Sequence, residues 1–324
     1  MLAFAVEEEE RPIFERFYQQ YQIDLTMTHE KPTAANAVLA QGMDCINVLS
    51  DTVLTPELWN SYHAAGVRLA VTRCIGMEHM NRAYAEKLGI TVRNITYSPA
   101  SVADYVIMMM LMLLRHIKPM LQRYAGQDYT MAGFRGREMH NMTVGILGAG
   151  RIGMMTAREL AGFGCRVCYW NRTPRAEMEG IAEYCDLDTL LSISDILSIH
   201  LAANEETYHF MDEKKLRAMK PGAVLINTAR GQLVDSGALI DMLESGHLGG
   251  AGLDVIDGDR DIYYRDHKNQ LINHREMSIL NAMPNVLMLP HAAYFTDQAL
   301  EDMVHGSLIV ASEVWNDMER TYNR

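Results

Sequence analysis

Three chemically capable features stand where a folded chain can use them: a glycine-rich turn, an arginine and a histidine. Gly148-Ala149-Gly150-Arg151-Ile152-Gly153 follows the apolar run Val144–Leu147 and opens a stretch with helical apolar spacing at Ile152, Met155 and Leu160. A GxGxxG pattern binds a dinucleotide in this strand–turn–helix setting, with the pyrophosphate on the helix N-terminus. Downstream, the apolar run Val224–Asn227 leads into Thr228-Ala229-Arg230-Gly231. A guanidinium at a strand end can hold a carboxylate through two parallel hydrogen bonds. Pro290-His291 follows a third apolar run, Val286–Leu289, and Gly252-Leu253-Asp254 precedes two further acids, Asp257 and Asp259. A neighbouring carboxylate raises a histidine's pKa and orients its ring. A nicotinamide site with a titratable group beside it implies hydride transfer coupled to proton transfer. Taken singly, Arg230 reads equally well as a surface ion-pair partner, and a histidine after proline is more often structural. Their recurrence at consecutive strand ends, where open α/β sheets bind ligands, favours catalysis.

The elements that must position these residues alternate along the chain. Apolar runs at Met1–Val6, Cys45–Leu49, Val67–Thr72 and Thr91–Val92 predict strands, with helical segments between them. A second series places strands at 143–147, 165–170, 196–199, 223–227, 251–255 and 286–289. Such alternation predicts parallel sheets. After Tyr97-Ser98-Pro99 the pattern predicts one long apolar helix to about Arg123, its methionines 108, 109, 110 and 112 serving packing. Residues 124–142 read as a connector, and Gly250-Ala251-Gly252 as a tight entry to the next strand. The polar stretch 256–275 is long for a structureless loop, so it is functional or carries helix of its own. The last 30 or so residues form one amphipathic helical pattern.

Composition narrows the classes. A chain of 324 residues has room for two domains, and 48% apolar with 22% charged residues fits an ordinary globular protein. The formal charge of −12 argues against a phosphate-backbone binder, which needs clustered lysine and arginine. No apolar run reaches the roughly 20 residues of a membrane span, and Glu7–Glu10 would spoil a secretion signal. A cytoplasmic protein that binds neither nucleic acid nor membrane is expected. Five cysteines do not make a disulfide framework in a chain of this length. Cys165 and Cys168 have CxxC spacing, but they lie in an apolar strand without a second pair, so no metal is expected.

The ordered set GAGRIG at 148–153, Asn227-Thr-Ala-Arg-Gly231, Gly252-Leu-Asp-Val255 and Pro290-His-Ala-Ala293 resembles the D-isomer-specific 2-hydroxyacid dehydrogenase family. The likeness covers essentially the whole chain and extends to Thr72-Arg-Cys-Ile-Gly76 and Tyr97-Ser-Pro99. The segment 256–285 and His291–Thr296 most resemble the D-lactate and D-2-hydroxyisocaproate dehydrogenase branch. The resemblance implies an α/β fold of two doubly wound parallel-sheet domains. A Rossmann nucleotide-binding domain (98–291) is inserted into a flavodoxin-like substrate domain (1–97 and 292–324). It implies reversible reduction of a 2-keto acid to the D-2-hydroxy acid by NAD(H) or NADP(H), in a homodimer.

Carried over residue by residue, the family assigns Arg230 to the substrate carboxylate and ketone, and His291 to proton donation. It assigns Asp259 to orienting His291, and Ile75, Gly76 and Tyr97 to substrate contact. Tyr294 with Phe295 and the 256–285 segment would shape the side-chain pocket. Cofactor contacts would come from Gly148, Gly150, Arg151, Ile152, Gly153, Thr207, Thr228, Ala229 and Asp254, with His200 and Leu201 on the adenosine side. The family's usual acid at 259 is glutamate. Aspartate reaches about 1.5 Å less far, so either the backbone moves in or Asp257 takes the role. About 20 residues beyond Gly148, where an acid normally selects NADH, stand Asn171-Arg172-Thr173. Asn171 can bond a ribose without repelling a 2′-phosphate, which Arg172 and Thr173 can hold. A different class of reading is a dinucleotide-sensing, corepressor-like interaction protein of the same fold, which the acidic charge and lactate-type segment disfavour.

Overall fold

The computed structural model describes residues 1–50 and 52–322. Its backbone forms two compact units, one from Met1–Ser98 with the chain from Phe295 onward, the other from Pro99–Tyr294. In the first unit, strands β1 (Leu2–Ala3), β2 (Thr26–Met27), β3 (Cys45–Val48), β4 (Leu69–Thr72) and β5 (Thr91–Asn94) build one sheet. The order is β2-β1-β3-β4-β5, with every pairing parallel. That is the flavodoxin-like doubly wound order. Helices α1 (Arg11–Phe17), α2 (Pro56–Ala64) and α3 (Arg82–Lys87) belong to this unit, as does the C-terminal helix Asp297–Tyr322. Ala299, Met303, Val304, Leu308 and Ala311 form that helix's buried stripe. Its Ser307 accepts a hydrogen bond from buried Asn47 on β3 at 2.8 Å.

The second unit begins with α4 (Ala100–Leu114) and α5 (Ile117–Ala125). The single helix expected to Arg123 is therefore two, set at 65° to each other. His116 between them takes a left-handed backbone, φ 53°, which stops the first helix. Strands β6 (Thr143–Leu147), β7 (Arg166–Trp170), β8 (Glu183–Tyr184), β9 (Ile196–Ile199), β10 (Val224–Asn227), β11 (Gly250–Leu253) and β12 (Val286–Met288) pair in parallel throughout. Their order is β12-β11-β10-β9-β6-β7-β8. Read from β8 inward this is the Rossmann order 3-2-1-4-5-6 with one strand added, and it reverses between β6 and β9. Helices α6 (Arg151–Leu160), α7 (Leu187–Ile193), α8 (Glu213–Ala218), α9 (Ser236–Glu244) and α10 (Arg275–Ala282) cover it. Asp186, Asp212 and Asp235 cap α7, α8 and α9 by accepting a backbone N–H each.

The inner strands β9, β10 and β11 are buried along their whole lengths, as strands covered on both faces must be. Gly250 and Gly252 are not an entry to β11 but part of it. A Cβ at Gly252 would lie 2.8 Å from Ile226 and 3.1 Å from Leu113 and Met109, so the glycine lets α4 seat on the sheet. Met109 and Met110 are fully buried there. All five cysteines are free thiols, with Cys168 inside β7. Among the described residues no single helix is long and apolar enough to cross a membrane.

Candidate active site

The phosphate end of the site follows from three glycines with different tasks. Gly148 has φ +104°, a conformation L side chains rarely adopt, and a Cβ there would press on the His200 carbonyl at 2.9 Å. A Cβ at Gly153 would overlap the Gly148 carbonyl, so this position lets α6 pack onto the turn. At Gly150 nothing lies within 4 Å of where a Cβ would be. That open face sits at the N-terminus of α6, which has no side-chain cap. Its N–H groups and positive dipole end fit a pyrophosphate. Arg151 and Ile152 form the first turn of the same helix. Across the sheet reversal, Thr228 is buried and its Oγ1 has no hydrogen-bond partner. An orphaned hydroxyl here, like the open Gly150 face, fits a bound dinucleotide.

The adenosine side is held by short links. The Asn171 side-chain carbonyl accepts the Ala149 N–H at 3.2 Å, and its amide donates to Thr173 O at 2.9 Å. Asn171 thus braces the glycine turn against the loop after β7. Arg172 projects into solvent with 83% of its side chain exposed, 3.7 Å from Glu206. His200 bonds Ser198 Oγ at 2.9 Å, and burial pushes its pKa down to about 4, so the imidazole is neutral at physiological pH. Leu201 packs on the unit's core. Thr207 closes a capping box with Asn204, its hydroxyl donating to Ala202 O at 2.8 Å.

Arg230 follows β10 in extended conformation, at the N-terminus of a short 3-10 turn. Buried Asn227 fixes this loop from inside: its carbonyl accepts the Ala229 N–H and its amide donates to Arg230 O. The guanidinium donates to Ala229 O at 2.8 Å. The next residue decides what the loop touches. A Cβ on Gly231 would overlap the Ile256 carbonyl and the Asp257 nitrogen. Only glycine lets the arginine loop lie backbone to backbone on the loop after β11. Gly231→Ala should therefore destabilise the protein by about 3 kcal/mol and lower kcat/KM as the two loops part; thermal melts and steady-state assays check both.

The loop after β11 carries the acids. Asp259 accepts the Ile256 N–H at 3.1 Å and feels the charge of Arg230. Burial raises its pKa, against the lowering pull of the Ile256 N–H, Arg230 and Arg260. Asp257 turns elsewhere, its carboxylate 3.5 Å from His209 Nε2, while its backbone oxygen bonds His274 Nε2 at 2.7 Å. Its engagement with His209 supports Asp259 for the role left open between them.

His291 follows β12 with φ +55°, again left-handed and costly for most side chains. Three contacts hold it there. Its N–H donates to Asp254 O at 2.8 Å, and its carbonyl accepts the Tyr264 hydroxyl at 2.7 Å. The fully buried Asp254 carboxylate accepts the N–H groups of Ala292 and Ala293, both at 2.9 Å, and the Tyr105 hydroxyl. Burial raises the Asp254 pKa while these donors oppose the rise. Asp254, expected to contact the cofactor, thus has a carboxylate engaged by three donors of the protein. The His291 ring lies 5.8 Å from Tyr264 and 6.3 Å from Tyr294, centre to centre. Consecutive strand ends β10, β11 and β12 therefore present Arg230, Asp259 and His291 on loops that brace one another.

Ile75, Gly76 and Tyr97 belong to the first unit, after β4 and β5. The loop of Ile75 and Gly76 starts from Arg73, whose buried guanidinium bonds Glu10, Asn47 and the carbonyls of Phe4 and Ala5. Asn94 donates to Ile75 O at 2.7 Å. Sequence reasoning missed these supports, and also Asn227, Gly231, Tyr105 and Tyr264. Asn227 and Gly231 stood inside a quoted motif; the tyrosines gave no local signal. Among the described residues no group of three or more His, Cys, Asp or Glu could hold a metal ion.

Residues 107–293 match the family model of the D-isomer-specific 2-hydroxyacid dehydrogenase NAD-binding domain. The chain is 39% identical over 299 residues to a D-specific alpha-keto acid dehydrogenase of Enterococcus faecalis, covering 92% of this chain and 91% of the relative. A D-lactate dehydrogenase of Treponema pallidum superposes with a TM-score of 0.89 at 30% identity, over 98% of this chain and 96% of the other. The NAD-complexed D-isomer-specific 2-hydroxyacid dehydrogenase of Lactobacillus delbrueckii ssp. bulgaricus gives 0.84 at 28% identity, over 98% and 97%.

Proposed function

The chain belongs to the D-isomer-specific 2-hydroxyacid dehydrogenase family, and from that premise we propose how its residues divide the reaction among them. The protein is an NAD-dependent oxidoreductase that reduces 2-keto acids to D-2-hydroxy acids. The dinucleotide supplies the hydride in reduction and receives it in oxidation. Gly148, Gly150, Gly153 and the first turn of α6 hold its pyrophosphate, with Thr228, Ala229, Thr207, His200 and Leu201 around it. Arg230 grips the substrate carboxylate and polarises the ketone oxygen. His291 donates its proton to that oxygen as negative charge develops there. Asp259 favours the protonated imidazole and fixes its ring. Ile75 and Gly76, through backbone N–H groups, and Tyr97 are further substrate contacts, and Tyr294 shapes the side-chain pocket.

The observation that carries this reading is the bracing of the Arg230, Asp259 and His291 loops on neighbouring strand ends. Its test is an assay of pyruvate and bulkier 2-keto acids with NADH and NADPH, scoring the chirality of the product. D-product from at least one keto acid is expected; L-product or no turnover sinks the reading. Family resemblance further supports a homodimer, and light scattering at twice the chain mass checks the assembly.

Arg172 carries the cofactor preference. It extends from the loop where an acid would repel a 2′-phosphate, and Asn171 beside it carries no charge. NADPH is expected to serve at least as well as NADH. Arg172→Ala should weaken NADPH about tenfold, an exposed charge-assisted contact being screened by water, and leave NADH nearly unchanged. Titration of cofactor fluorescence reads both constants, and an equal loss for the two cofactors removes Arg172 from this role.

A further inference from the structure

Tyr263 lies one turn beyond Asp259, its N–H donating to Asp259 O at 2.9 Å. The residue is 7% exposed and packs into the core of the second unit, yet its hydroxyl has no hydrogen-bond partner. The charges of Asp259 and Asp254 both act on that hydroxyl, and it in turn acts on the hydroxyl of Tyr105. A buried phenol without a partner is a standing cost, and phenylalanine would fill the same space without it. Native chains keep such groups where function uses them.

We propose that Tyr263 is a positioning residue whose hydroxyl steadies the Asp259 carboxylate and so compensates for the methylene that aspartate lacks relative to glutamate. The proposal rests on the reading that Asp259 orients His291. One Asp259 oxygen is tied back to the Ile256 N–H. On that reading the other oxygen serves the histidine, and a second restraint holds it in direction. A neutral O–H donor supplies it, directly after a small side-chain rotation or through one bridging water, and favours the ionised acid over the neutral one. Arg230 and Arg260 act in the same direction, while Asp257 acts against them.

Tyr263→Phe is expected to lower kcat about 5- to 30-fold, with the NADH dissociation constant unchanged and the melting temperature equal or higher. The alkaline limb of the reduction profile should move down by roughly half to one unit, because a less ionised Asp259 supports the imidazolium less. In an Asp259→Glu background, where the longer acid needs no such help, the same substitution should cost less than twofold. An unchanged kcat in the wild-type background overturns the proposal. So does an equal loss in both backgrounds, or a loss accompanied by a lowered melting temperature, either of which marks a packing role. Asp259→Ala separates the two readings: wild-type activity there overturns the assignment of Asp259 itself and the proposal with it.

Discussion

Replacing His291 by alanine is expected to lower kcat by about 10²–10⁴-fold, the worth of a positioned general acid, while NADH binds as before. The backbone of this loop is held by Asp254 and Tyr264 through main-chain atoms, so removal of the imidazole leaves the supports in place. The left-handed backbone at φ +55° calls for one control. Asparagine adopts that region more readily than alanine, and it offers hydrogen bonds without titrating near neutrality. His291→Asn should therefore be as inactive as His291→Ala and melt nearer the wild type. Stopped-flow NADH oxidation and fluorescence titration separate the two effects. More than a tenth of wild-type kcat in both variants would take the proton from elsewhere.

Arg230→Lys should cost about 10²–10³-fold in kcat/KM although charge is kept, because lysine offers a point charge in place of a planar two-pronged donor. The loss is expected in both parameters. KM rises as the carboxylate loses one of its two bonds, and kcat falls as the ketone oxygen loses a donor when charge develops on it. Lysine also cannot reproduce the bond from Arg230 Nη1 to Ala229 O that fixes the side chain's direction. Steady-state kinetics with a saturating cofactor measure both. A rise in KM alone would confine Arg230 to anchoring, and near-normal values would put the carboxylate elsewhere.

What could be read from the sequence was whatever a local pattern encodes. The alternation of apolar runs with helical stretches predicts parallel sheets, and the glycine spacing at 148–153 predicts the turn, since both depend on residues close in the chain. Arg230 and His291 were legible because each follows an apolar run, and strand ends gather in space in such folds. The break at His116 was passed over because the apolar pattern runs on across it, although Pro119 in the first turn of α5 has no N–H with which to continue the first helix. The two-residue edge strands β2 and β8 bury too little to show a period. Gly231 and Tyr263 matter through contacts that only the folded loop after β11 brings about. The acid at 259 was legible as a departure from the family's glutamate, but its neighbouring phenol was not.

Asp254 holds the segment after β12 by main-chain N–H groups, those of Ala292 and Ala293, and by the N–H of His291 on its own carbonyl. Ala292 and Ala293 give that grip their backbone N–H groups and not their side chains. Variation there can reshape what the pocket accepts without loosening the proton donor, so substrate range and catalytic competence can evolve apart. A library confined to Ala292 is accordingly where altered keto-acid selectivity should be sought, with Tyr294 kept because its ring lies 6.3 Å from that of His291.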